Sequence, residues 1–172
     1  MKTYLVKDTF KHKSIVWRDS DIDSWLSHTL PVFPEAKSVS HSDLTRDMTF
    51  KEIAKEFIGS DDVEKVKPHC FSLQEIENML IKKDKRLLTN GYANIFFIES
   101  NDEVFGLDAL WHVGWFGYGW LVYVLRFAHD FWWPAGSRFF SRNLDSGKLG
   151  SLDSVPELPL ELVINGIKYK QI

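Results

Sequence analysis

Six histidines, one cysteine and a scatter of Ser, Asp and Glu are the residues whose types could support catalysis or hold a metal. His12, His28, His41, His69, His112 and His129 are spread along the chain, and no pair has the spacing of a helical or knuckle metal site. His69-Cys70 is the one His/Cys neighbour pair, too little for a zinc centre. His129-Asp130, with Ser137 or Ser141 downstream, supplies the parts of a hydrolase, and His112 could join them. No nucleophile motif accompanies these residues, and a chain of this size supplies His, Asp and Ser by chance. Asp108 lies among apolar neighbours in a stretch of strand character, the setting of a hydrogen-bonded structural carboxylate. Gly114, Gly117 and Gly119 sit between two β-like runs, whereas a phosphate-cradling loop joins a strand to a helix N-terminus. No cofactor and no metal are expected.

The elements that must position these residues are dominated by one stretch. Val104 to Gly147 holds five of the seven Trp, six Phe and two Tyr, yet no Lys, Glu, Gln or Met. Aromatic side chains bring large contact area at little rotamer entropy, so such a group builds a core, faces a ligand, or does both. An aromatic sheet also lacks Lys and Glu when it is simply buried, and in that case the same rings are core.

Length and charge bound the rest. At 172 residues the chain suits one well-buried core. A net charge of -3 and a pI near 6.1 favour neither nucleic acid nor an anionic membrane as partner. The lone Cys70 fits a reducing compartment, and the N-terminal residues lack the apolar run of a signal peptide, so a cytoplasmic location is expected. The uncharged run Trp111 to Leu125 is too short to span a bilayer as a helix.

Residues 1–91 are expected to be mainly helical. Thr3–Val6 and Ser14–Trp17 suit short strands or extended arms, Asp21–Leu26 a short helix, and Pro31 and Pro34 break the chain. Ala36–Asp47 is polar and Ser-rich, hence a surface loop. Thr49 with Glu52 and Ser72 with Glu75 are capping boxes, each followed by apolar residues at helical spacing. The first helix should stop at Gly59. A further turn should run from Asp61 to Lys67, before Pro68. The Ser72 helix should extend through Leu87 and Leu88 to Asn90-Gly91, with Lys82 to Arg86 as a solvated end.

Residues 92–143 change to strand periodicity. Ala93–Ile98 and Glu103–Trp111 form a hairpin about Ser100-Asn101-Asp102, Trp120–Phe127 follows, and Ser137–Ser141 is a short fourth strand. Residues 144–172 hold a loose Ser/Gly/Asp/Pro segment and an Asn165-Gly166 hairpin. The fold class is therefore α+β in a single domain, with N-terminal helices packed on an antiparallel β-meander.

Trp120-Leu121-Val122, then Trp133-Pro134-Ala135-Gly136-Ser137-Arg138-Phe139-Phe140-Ser141-Arg142-Asn143, resembles the variable cassette of diversity-generating retroelement target proteins, over roughly Ala93 to Asn143. In that family adenine mutagenesis turns Asn codons into many others but never into Lys, Glu, Gln, Met or Trp codons. Several members carry the cassette on a C-type-lectin-like fold. The resemblance implies that Trp111, Trp120, Trp133, Gly136 and Arg138 are framework. It makes Leu110, His112, Phe116, Tyr118, Tyr123, His129, Phe131, Pro134 and Ser137 the variable, ligand-facing positions. The leading expectation is a binding module for a protein or other macromolecule. Two alternatives stay open: a small hydrolase-like enzyme using His129, Asp130 and His112, and an assembly subunit that buries the aromatic face in an oligomer.

Overall fold

The computed structural model describes residues 8–26, 38–114 and 117–143, together with the backbone of two short strands near the C-terminus. It is a mixed α and β structure built on a six-stranded sheet. In chain order the elements are β1 (Ile15–Arg18), α1 (Asp21–Trp25), β2 (Val39–Asp43), α2 (Phe50–Phe57), α3 (Val63–Val66), α4 (Leu73–Ile81), β3 (Ala93–Ser100), β4 (Glu103–Gly114), β5 (Gly117–Arg126) and β6 (Arg138–Arg142). Then come β7 (Glu161–Ile164) and β8 (Ile167–Lys170), which pair with each other.

The centre of the sheet is the expected meander. β3 and β4 pair antiparallel from Ser100↔Glu103 to Ala93↔Leu110. Asn101 and Asp102 make the two-residue turn between them, at φ of 52° and 63°. Positive φ at both turn residues matches the right-handed twist of the strands, and Asn and Asp tolerate it better than other side chains. β4 and β5 continue the meander from Phe105↔Arg126 to Gly114↔Gly117.

The flanks of the sheet depart from a pure antiparallel meander. The order is β1-β5-β4-β3-β6-β2, with β1 parallel to β5 and β6 parallel to β3. The reason is the connection after β5: it crosses one face of the sheet instead of turning back at once, and so delivers β6 beyond β3 in the same direction. β2 then pairs antiparallel with β6, from Val39↔Arg142 to Asp43↔Arg138. This corrects the loop expected over Ala36–Asp47. An edge strand needs backbone hydrogen bonds more than apolar side chains, and Ser40 and Asp43 add side-chain links to Ser141 and Arg138.

Strand alternation divides the core into two layers. On one face Phe96, Ile98, Phe105, Leu107, Trp120, Val122, Val124 and Phe140 pack with Ile22 of α1 and Leu73, Ile76 and Leu80 of α4. On the other, Ile95, Phe97, Val104 and Phe139 pack with Phe50, Ile53 and Ala54 of α2 and Val66 of α3. Helices thus cover both faces. The contact on the second face is closest at Gly106, where an added Cβ would lie 1.8 Å from the Phe50 ring.

Both capping boxes form, at Thr49/Glu52 and Ser72/Glu75. Gly59 ends the first of these helices at φ +89°, its N–H donating to the Ala54 carbonyl. Two other boundaries differ from expectation. Past α3 the chain makes a 3₁₀ turn over Lys67–His69 that includes Pro68, since the first turn needs no N–H from proline. α4 stops at Ile81, because Lys83 takes a left-handed backbone at φ 48°. Leu87 still reaches the core from the following loop, and Leu88 is tied by its backbone to the Asn94 amide. Thr3–Val6, Pro31 and Pro34 lie outside the described residues, as do Asn165 and Gly166. No helix among the described residues is long and apolar enough to cross a membrane.

Candidate functional site

The segment that crosses the sheet face, Phe127 to Ser137, brings most of the candidate residues together. Its path is fixed by backbone bonds to the stretch before α2: Met48 and Trp133 exchange N–H···O bonds of 3.0 and 2.9 Å, and Gly136 N–H donates to Leu44 O at 2.8 Å. The Ala135 N–H donates to Asp47 Oδ1 at 2.9 Å. Trp133 itself is 1% exposed. Its ring stacks on Phe50 at 3.8 Å between centroids, and its indole N–H donates to Asp108 Oδ2 at 3.1 Å.

Asp108 sits mid-strand in β4, opposite Ile95 on one side and Tyr123 on the other. Its Oδ1 is buried with no hydrogen-bond partner. Burial pushes this carboxyl up to about 7, opposed by the bond from Trp133. Tyr123, half-buried, is raised by burial and then by the charges of Asp108 and Asp19. Its ring lies 4.4 Å from that of Trp17 on β1, which is 38% exposed. Leu110 and His112 alternate onto this same face and are half-buried, with the His112 ring folded back beside Gly114.

The loop's alternation sends neighbouring aromatics in opposite senses. Trp133 points in, while Trp132 is 64% and Phe131 50% exposed. Phe131 stands edge-on against Trp133 at 4.9 Å, so the exposed ring is braced by the buried one. His129 is exposed, and its Nδ1 accepts the Phe131 N–H at 3.0 Å, which makes the imidazole a brace for the loop's own turn. Pro134 is exposed.

Not every candidate belongs to this face. Tyr118 is 74% exposed but lies on the opposite face, paired with Val113 at the end of the β4–β5 hairpin. Ser137 is fully buried, which corrects its ligand-facing assignment: it closes the turn from Pro134 into β6, and no surface ligand reaches its hydroxyl. Phe116 lies outside the described residues.

Of the framework residues, Trp120 is fully buried and donates to the Leu80 carbonyl at 3.1 Å, and Trp111 stands edge-on to it. Gly136 has φ +92°, and Arg138 is held by Asp43 and by the Arg86 carbonyl. Sequence reasoning passed over Trp17 and Trp132. Trp17 was legible only as the end of a short strand or extended arm, and Trp132 fell in neither the framework nor the ligand-facing set.

Among the described residues no cluster of His, Cys, Asp and Glu could hold a metal ion. Burial pushes the Cys70 thiol upward, far from the thiolate form a nucleophile or ligand needs. No protein-family model, curated protein or solved structure matches the chain.

Proposed function

We propose that this chain is a binding module that takes a macromolecular partner on the aromatic surface around Phe131 and Trp132, with no chemistry of its own. The observation that carries the reading is a pair of exposed aromatic rings on a loop pinned by backbone bonds to Leu44 and Met48 and by the Trp133–Asp108 contact. Aromatic anchors held in place before binding lose little freedom when a partner arrives, and rings of this kind dominate interface energetics. Tyr123, Trp17, Leu110 and His112 extend the same sheet face with half-buried rings and aliphatic groups.

The finer form of the reading is a diversified cassette displayed on a C-type-lectin-like framework. Two features support it: the residue types missing from Val104 to Gly147, and the burial of Trp120 and Trp133 beneath exposed Tyr118, Phe131 and Pro134. The decisive test lies in the encoding DNA. A near-copy of the segment for roughly Asp108 to Ser137, differing only at adenines and beside a reverse transcriptase, is expected; its absence removes diversification and leaves an ordinary binding face.

A further inference from the structure

We propose that a second surface, formed by Val113 of β4, Tyr118 of β5 and the residues just past α4, docks an acidic segment of a partner protein that also carries apolar side chains. This surface stands apart from the Phe131–Trp132 loop, and the two can fail separately.

Val113 and Tyr118 are cross-strand partners, 58% and 74% exposed. Strand alternation places them on the face of Trp111 and Trp120. Trp120 fixes the end of α4 there through the bond to Leu80 O. Directly after that end come Lys82, Lys83 and Lys85, all exposed. No ion pair among the described residues engages them. The one acid in their midst, Asp84, is held by Arg86 at 2.7 Å, and that bond keeps its carboxyl down at about 2. Among the described residues, then, no carboxylate stands at ion-pair distance from these lysines, and their positive charge faces solvent.

The backbone adds a second sign. Lys83 occupies a left-handed conformation, φ 48°, at a helix end where Gly is the usual occupant. A lysine held there at some strain sets its ammonium 4.9 Å from the Trp111 ring centroid, so cation and apolar surface are presented side by side.

The chemistry favours a protein over a nucleic acid. Lys83 already occupies a face of Trp111, so that ring is not open for a base, and Val113 offers aliphatic contact instead of stacking. A formal net charge of -3 opposes the approach of a long polyanion, whereas a short acidic segment meets only the local lysines.

The test pans a phage-displayed random peptide library against the full chain carrying Phe131→Ser and Trp132→Ser, which silences the other surface. Enriched peptides are expected to be rich in Asp and Glu with interspersed apolar residues, and to bind more weakly as salt rises. Lys82→Glu/Lys85→Glu, which leaves Lys83 on Trp111, should lower their affinity about tenfold, and Tyr118→Ser by a similar factor. Circular dichroism of each variant checks that it is folded. No enrichment, a pool without acidic bias, or indifference to the lysine reversals overturns the proposal. So does oligothymidine binding more tightly than the peptides and being lost with the same lysines, which would make the surface one for nucleic acid.

Discussion

The indole N–H of Trp133 and the buried carboxyl of Asp108 meet at 3.1 Å, and this contact joins the crossing loop to the middle of the sheet. It is the one hydrogen bond at the Asp108 carboxyl among the described residues, for Oδ1 is buried without a partner. The stability of the sheet and the posture of Phe131 and Trp132 are thereby linked to the protonation of a single acid.

That link has a definite sign. In the unfolded chain Asp108 loses its proton near its ordinary value of 3.8, while in the fold burial holds the proton up to about 7. Between those values the folded state binds more protons, so stability falls as pH rises, by at most about 1.4 kcal/mol per pH unit. Burial raises Glu77 as well, with the same sign, whereas Asp43 and Asp84 are lowered by Arg138 and Arg86 and act only in more acidic solution. Asp108→Asn should flatten the fall between about pH 4 and 7, leaving the Glu77 part. Urea denaturation across that range measures it, and an unchanged slope would refute the assignment.

Trp133→Phe keeps much of the stacking on Phe50 but removes the donor, leaving the Asp108 carboxyl wholly unpartnered. A loss of about 1–3 kcal/mol is expected. With Asp108→Leu as the second change the penalty should shrink, since two apolar groups leave nothing unsatisfied. A double-mutant cycle from denaturation curves reads the coupling, and strict additivity would mean the hydrogen bond contributes nothing.

How legible all this was in the sequence follows from the range of the interactions concerned. The capping boxes at Thr49/Glu52 and Ser72/Glu75 and the Asn101-Asp102 turn are set by residues within a few positions of each other, and they were readable. β2 was not, because Ser40, His41 and Ser42 carry no apolar alternation and the strand exists only through its pairing with β6, a hundred residues on. The end of α4 was hidden by Leu87, which continues the apolar pattern but reaches the core from a loop. At the candidate site, the aromatic content singled out the stretch that carries the exposed Phe131 and Trp132. Which rings face out depended on the loop's path across the sheet, so neither the exposure of Trp132 nor the burial of Ser137 could be read from the chain.

The two capping boxes should respond unequally to the same change. Glu52 is approached from solvent by Arg46, whose side chain is 53% exposed. Glu75 also holds Arg142, which is 8% exposed and lies over the Phe71 ring. Glu75→Ala removes the box and strands a buried guanidinium, at a cost on the order of 3 kcal/mol. Glu52→Ala removes a box alone and should be markedly milder. Thermal unfolding of the two variants side by side decides it, and equal losses would show that Arg142 gains nothing from Glu75.

The exposed rings should matter to binding and not to folding. Phe131 and Trp132 are half or more open to solvent, while the bonds that fix their loop run through the Trp133, Ala135 and Gly136 backbone and the Trp133 indole. Phe131→Ser with Trp132→Ser should leave the unfolding midpoint within about 0.5 kcal/mol of the parent, because surface changes away from caps and buried contacts rarely exceed that. The parent should be a monomer by light scattering, since the proposed partner is a different molecule. An oligomer that the double variant dissolves would transfer these rings to a self-interface and displace the binding-module reading in favour of an assembly subunit. A large loss of stability would instead place Phe131 in the structural frame, braced against Trp133 from outside, and leave Trp132 as the sole anchor.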